Sequence, residues 1–221
     1  MSRLVVYTAI MGSNGDKLRP PLNIPDSCDA DFVCFSDHIK QPVGRWRIVK
    51  PVWSHPTCSR RTARYHKVNP HTVFPTAECS IWLDGSEQLL EPPEGLIERY
   101  LSTRDFAAFK HPQRRTVSKE VAACVRLKKD KSNTLAKQLN RYIKEGFKDK
   151  TGLFETGMLV RRHTDKVRQI SELWWEEIEK GSFRDQVSLP YVLDKLDTRI
   201  NHIAGRGFNC PHLKYWPHGS R

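Results

Sequence analysis

One stretch constrains the fold of this chain more than any other: Ser80-Ile81-Trp82-Leu83-Asp84-Gly85-Ser86. An apolar run ends in one carboxylate, a glycine and a small hydroxyl. Runs of this kind form strands buried on both faces, as in parallel sheets covered by helices. In open α/β sheets, ligands bind outside the carboxyl ends of the strands. Asp84 therefore falls where an acid can meet a ligand. An ordinary strand-ending Asp-Gly turn gives the same local pattern, so the remaining segments must decide between the two.

Those segments repeat the pattern. Leu4–Ile10 reads as a buried strand that ends in a loop through Gly12, Ser13, Asn14 and Gly15. Asp31–Asp37 reads as a second strand with an acid at its exit, and Trp46–Val49 as a third, near an edge because Pro42 and Pro51 bracket it. Ser59–Val68 is a basic helix stopped by Asn69-Pro70. Glu94–Leu101 is a helix opened by Pro92 and Pro93, and Phe106–Phe109 is a short strand. Ser118–Lys128 and Thr134–Phe147 read as helices, the second with a stripe of Leu135, Leu139, Tyr142, Ile143 and Phe147. Gly152–Gly157 reads as a loop into a strand at Met158–Val160, followed by helices over Asp165–Glu179 and Arg184–Leu193. The tail, with Gly205 and Gly207, is turn-rich. Alternating strands and helices predict an α/β sheet covered on both faces. Thr8, Asp37 and Asp84 then lie at strand ends.

Composition excludes several classes. With 221 residues and 38% hydrophobic content, the chain can bury a sizeable core. No run approaches bilayer length. Met1–Tyr7 reads as a strand rather than a signal peptide, so a cytoplasmic location is the expectation. The six cysteines form no CxxC pair and read as free thiols in a reducing compartment. Charge is unevenly spread. Between Lys110 and Lys150 stand thirteen Lys or Arg against four Asp or Glu, which is +9 of the net +12. Such a segment suits a polyanionic partner, such as nucleic acid, anionic glycan or a membrane surface, and equally a solvated helix face.

The candidate chemistry is that of a diphosphate. A departing diphosphate is neutralised by a divalent metal, and Mg²⁺ or Mn²⁺ takes oxygen ligands, commonly from Asp-x-Asp after a strand. Here Ser86 replaces the second acid. Arg60, Arg64 and Lys67 share one face of the basic helix at i, i+4 and i+7, suited to phosphate. Gly157 permits close backbone approach to a ligand. Asp185 and Gln186, opening a helix, can bond sugar hydroxyls, although an acid there also complements the helix dipole. His202, His212 or His218 could give a ring nitrogen to a metal.

The order of these segments is specific. Val5–Gly12, Asp31–Asp37, Arg64–His71, Ser80–Gly85, Glu155-Thr156-Gly157 with Arg161 and His163, and Arg184–Leu189 together resemble the TOD/MUCI-type glycosyltransferase-like domain. More distantly they resemble the glycogenin and lipopolysaccharide-galactosyltransferase group. The resemblance covers roughly residues 3–195, with the Trp82–Gly85 and Arg184–Gln186 segments its most specific parts.

It implies a GT-A-like, Rossmann-type mixed sheet flanked by helices, in a single domain over 1–221. Residues 1–109 would form the nucleotide-sugar half, 110–150 a basic helical insertion, and 151–221 the acceptor half and tail. The implied donor is a UDP-sugar and the implied cofactor Mn²⁺ or Mg²⁺. Thr8, Ala9, Ile10 and Asp37 would flank the nucleoside, while Arg64 and Lys67 would face the diphosphate and sugar. Asp84 and Ser86, with His202 or His212, would hold the metal. Glu155, Gly157, Asp185 and Gln186 would lie by the transferred sugar, with Asp185 or Glu155 the base if the reaction inverts. Arg114, Arg115, Lys128, Lys129 and Arg141 would contact an anionic acceptor, either a hydroxymethylated DNA base or an anionic glycan. The rival expectation is a non-catalytic nucleic-acid-binding protein on a degenerate transferase scaffold.

Overall fold

The computed structural model describes residues 4–12, 16–205 and 210–217. Ser13, Asn14, Gly15, Gly207 and His218 lie outside those residues. In chain order the elements are β1 (Leu4–Ile10), β2 (Asp31–Ser36), β3 (Arg47–Val49), α1 (Ser59–Val68), α2 (Pro70–Val73), β4 (Cys79–Leu83), β5 (Glu87–Leu89), α3 (Pro93–Tyr100), β6 (Phe106–Lys110), α4 (Val117–Arg126), α5 (Ser132–Lys144), β7 (Phe154–Arg162), α6 (Asp165–Lys180), α7 (Asp185–Lys195), β8 (Asn201–Ile203) and β9 (Leu213–Tyr215).

Seven strands form one sheet in the order β3-β2-β1-β4-β7-β6-β8, and β5 pairs with β9 apart from it. Strands β1 to β4 run parallel, β7 runs antiparallel to both neighbours, and β8 is parallel to β6. The mixed α/β fold expected from the sequence is therefore present. Its central strands are apolar without alternation because both faces are covered. Val5, Tyr7 and Ala9 pack into one core with Trp82, Trp174 and Leu189. Val6 and Ile10 pack into the other with Ile81, Leu83, Leu96 and Met158.

Local chemistry sets several boundaries. Thr116 caps α4 by accepting the Lys119 N–H, and the Asp149 carboxylate takes the N–H groups of Val117 and Ser118 at 2.7 and 2.9 Å. That carboxylate sits where the helix dipole favours negative charge. Helix α5 stops at Lys144, short of the expected Phe147, because Gly146 turns the chain at φ 89°. The Phe147 N–H then bonds the Tyr142 carbonyl, and its ring returns to the core.

Two expectations need correction. The loop predicted over Gly152–Gly157 is mostly strand, since β7 starts at Phe154. Pairing of Phe154 and Glu155 with β6, and of Met158 onward with β4, holds the segment extended, with the β6 register shifting at Ala108/Phe109 opposite Thr156 and Gly157. Helix α1 does stop at Val68, as expected, and Pro70 goes on to open the short α2, a position where its missing N–H costs nothing. The tail carries two strands, β8 and β9. Among the described residues, no helix is long and apolar enough to cross a membrane.

Candidate functional site

A cleft of about 770 Å³ opens at the carboxyl ends of β1 and β4. Ala9, Ile10 and Asp16 line one side, Asp84 to Glu87 the floor, and Glu155 and Gly157 of β7 the back. Arg60 and Arg64 enter from α1, and Arg184 and Gln186 from the start of α7. Because β7 runs against β4, its N-terminal residues arrive beside the C-terminal end of β4. One antiparallel strand thus brings residues from the second half of the sequence to the acid of the first.

At the inner end of the cleft lies a buried ionic network. Lys67 is fully buried, and its Nζ lies 2.6 Å from Asp185 Oδ2 and 3.1 Å from both Asp84 Oδ1 and Thr156 Oγ1. Thr156 donates to Asp185 Oδ2 at 3.0 Å, and Arg64 Nε stands 3.4 Å from the same oxygen. The Trp82 indole donates to Asp84 Oδ1 at 2.8 Å. Two carboxylates face two cations, and at the buried Lys67–Asp185 pair the attraction is only weakly screened, while Asp84 and Arg64 reach the cleft. Burial alone would raise the Asp185 carboxyl, but Arg64, Lys67 and Arg184 hold it well below the usual carboxylate range. Asp185 is therefore a fixed negative charge at neutral pH.

The backbone beneath Lys67 is clamped as well. The Tyr7 hydroxyl donates to the Lys67 carbonyl at 2.9 Å, and Arg161 Nη2 donates to it at 2.8 Å. This carbonyl is in the last turn of α1, where intrahelical donors run out. Burial pushes the Tyr7 phenol up to about 12, so it keeps the proton it donates. Arg161 and His163, which the sequence pattern singles out, thus lie beneath the cleft, with His163 Nε2 2.9 Å from Ser80 Oγ.

The turn after β4 is built around two glycines. A side chain at Gly85 would come within 2.9 Å of Ile10 Cγ1. A Cβ at Gly157 would stand 2.1 Å from Glu87 Oε1, so the Glu87 carboxylate occupies that space. The Asp84 N–H bonds the Gly157 carbonyl at 2.8 Å, and the Glu87 N–H bonds the Asp84 carbonyl at 2.9 Å. Oε2 of Glu87 is buried without a hydrogen-bond partner. Burial, followed by the charges of Asp84 and Glu155, pushes the Glu87 carboxyl well above its ordinary range.

The expected residues divide into two groups. Ala9, Ile10, Arg64, Asp84, Ser86, Glu155, Gly157 and Gln186 line the cleft, while Lys67 and Asp185 form the network under it. Thr8 is buried in β1. Asp37 holds the β1 exit, accepting the Gly12 N–H at 3.0 Å and pairing with His38.

Neither of the two described tail histidines, His202 and His212, is brought to Asp84. His202 is on the edge strand β8, three strands from β4, with its ring stacked on Phe154. His212 is buried against Tyr100, Arg99 and Glu91, with its Nε2 2.6 Å from the Tyr100 hydroxyl. Among the described residues, no three His, Cys, Asp or Glu side chains converge as a metal cage.

The basic segment is also split. Arg114 is paired with the buried Glu120, and Arg141 with the buried Glu177. Arg115 is exposed outside the cleft lining, whereas Lys128 and Lys129 stand on the cleft rim, beside Arg60 and Phe183.

Sequence reasoning passes over Glu87 and Asp16. Glu87 had one available signal, an acid three residues after Asp84 across a Gly-Ser turn. Asp16 carries no signal that separates it from ordinary polar residues.

Comparison with known proteins agrees with this architecture. The family model for the TOD1/MUCI70 glycosyltransferase-like domain matches residues 1–204. A probable hexosyltransferase, MUCI70, of Arabidopsis thaliana is 27% identical over 96% of this chain and 41% of its own length. The alkaline ceramidase TOD1 of the same plant is 28% identical over 89% of this chain and 49% of its own. The chain thus spans less than half the length of either relative. Among solved structures, the bifunctional glycosyltransferase WbbM superposes with a TM-score of 0.53 at 12% identity, over 91% of this chain and 38% of that one. Mouse xyloside xylosyltransferase 1 gives 0.51 at 8% identity, over 91% and 84%. These likenesses show a shared GT-A fold. With the family model covering nearly the whole chain, the protein belongs to the TOD1/MUCI70 glycosyltransferase-like domain family.

Proposed function

We propose that this chain transfers a glycosyl group from a nucleotide-sugar, a UDP-sugar in the simplest form, to an anionic acceptor. One observation carries the reading. A single cleft joins an acidic strand-end turn to the buried Lys67–Asp185–Arg64 network and to a cationic rim. In this reading Ala9 and Ile10 face the nucleoside and Arg64 faces the diphosphate and the sugar, whereas Lys67, expected there too, is buried and acts from beneath through Asp84 and Asp185. Asp185 serves as a fixed charge that orients Lys67 and Arg64, since its depressed pKa makes it a poor proton acceptor. Glu155 is then the base candidate for an inverting course. Gln186 offers an amide to sugar hydroxyls.

The turn after β4 presents hard oxygen donors, and one of its carboxylate oxygens lacks a partner. That set fits Mg²⁺ or Mn²⁺, which use one or two carboxylates together with substrate phosphates and water. Asp84 would hold the ion, which when bound supplies charge neutralisation for the departing diphosphate. Lys67 and Arg64 add fixed positive charge in a water-poor site, where preorganised electrostatics count most.

The rim cations Lys128, Lys129 and Arg60 support an acidic acceptor. Pairing of Arg114 and Arg141 with buried glutamates leaves a small footprint. It suits one phosphate or carboxylate of a glycan better than a nucleic-acid duplex. Replacing Lys128 and Lys129 by glutamate should lower kcat/KM for an acidic acceptor by about tenfold, near the worth of one charge-assisted hydrogen bond. A neutral acceptor should be affected much less.

Heat unfolding with UDP and Mn²⁺ tests the donor half. Ligand at a hundredfold excess over its Kd should stabilise the protein by about 2.7 kcal/mol. Absence of a shift with every nucleoside diphosphate, together with a shift on duplex DNA, would favour a non-catalytic nucleic-acid binder instead.

A further inference from the structure

We infer that Glu87 is the second acid of a divalent-cation site, taking the part for which the sequence pattern offers only Ser86. The inference rests on the glycosyl-transfer reading and names one element of that site. Asp84 and Glu87 close a single turn through the Glu87 N–H to Asp84 carbonyl bond of 2.9 Å, and both line the cleft. Two independent features place the Glu87 carboxylate there. Its Oε2 is shut off from solvent and accepts no hydrogen bond. Its Oε1 fills the space that any side chain at residue 157 would need, with a Cβ there only 2.1 Å away.

A buried carboxylate oxygen without a donor is unfavourable unless a proton joins it in the ion-free protein or a cation takes that proton's place. Lys67 cannot serve, because its ammonium is already held by Asp185, Asp84 and Thr156. His202 and His212 are engaged elsewhere. Asp84 keeps one carboxylate oxygen beyond the one held by Lys67 and Trp82. The protein therefore offers carboxylate oxygens from Asp84 and Glu87, the number that Mg²⁺ and Mn²⁺ commonly take before phosphates and water complete the shell. The acidic spacing here is Asp-x-x-Glu rather than Asp-x-Asp.

Mn²⁺ binding, followed by electron paramagnetic resonance of the free ion, tests this with and without UDP. Wild type should bind Mn²⁺, more tightly with UDP present. Glu87→Gln should weaken Mn²⁺ binding by roughly 10- to 100-fold, the loss that even an outer partner of a metal site causes. Ser86→Ala should stay within a few-fold of wild type. Glu87→Gln is nearly isosteric, and its metal-free melting temperature should not fall, which separates ligand loss from misfolding. Glu87→Asp, shorter but still charged, should fall between wild type and Glu87→Gln. Mn²⁺ binding by Glu87→Gln equal to wild type would overturn the inference, as would a loss carried by Ser86→Ala or no Mn²⁺ binding by wild type. UDP binding that ignores Mn²⁺ overturns the cation site and leaves the donor reading intact. Glu87-dependent Mn²⁺ binding without affinity for any nucleoside diphosphate does the reverse.

Discussion

Lys67 is a charged side chain with no exposed surface, tolerated because Asp185 and Asp84 meet it within hydrogen-bond distance. Removing one member of a buried ionic pair strands the other, at a cost of about 3–5 kcal/mol. Lys67→Met should therefore lower unfolding stability by that amount in urea titrations. The double variant Lys67→Met/Asp185→Asn should recover part of the loss, since the groups in one network are not additive. His163 makes a different prediction. Burial, then the charges of Arg161 and His71, lower its pKa to about 4. The unfolded chain binds a proton near pH 6.5, and the native state does so only near 4. Stability is then lost as pH falls through that window, by up to about 3 kcal/mol from this residue. Denaturant titrations at pH 7 and pH 4 should show the loss, and His163→Gln should reduce the difference between the two.

Among the elements, β7 departs most from the sequence pattern. Glu155, Thr156 and Gly157 look like loop residues, yet pairing with β6 before them and with β4 after them makes them strand. That contact is nonlocal, so residue periodicity cannot reveal it. The same holds for the β5–β9 pair, whose partners are more than a hundred residues apart. The extents of β1 and α1, in contrast, follow from an unbroken apolar run and from a basic amphipathic segment closed by Asn-Pro. The acids at Asp84 and Asp185 were legible because strand ends and helix starts are local features. The burial of Lys67 and the place of Glu87 were not, because both depend on what β7 delivers. Gly157→Ala checks this junction. Its Cβ would overlap the Glu87 carboxylate, and forcing the two apart should cost about 1–3 kcal/mol in denaturant unfolding.

Across the whole molecule, the cleft has a gradient of charge. Carboxylates at Asp84, Glu87 and Glu155 face an inner pair of cations, and lysines on the α4–α5 turn mark the outer rim. This layout follows from topology, since parallel strands from the first half and one antiparallel strand from the second end at the same place. The +9 segment looked like one continuous surface in sequence, but folding sends Arg114 and Arg141 into buried ion pairs and leaves Lys128 and Lys129 on the rim. Activation of a nucleotide-sugar is the event proposed for this cleft. Its most direct test is the release of nucleoside diphosphate from a panel of nucleotide-sugars with Mn²⁺, comparing wild type with Asp84→Asn. Wild type should release the diphosphate from at least one donor, and Asp84→Asn should do so at least about 100-fold more slowly, the scale of losing one preorganised electrostatic contact. No release from any nucleotide-sugar, or an undiminished rate in Asp84→Asn, would contradict it.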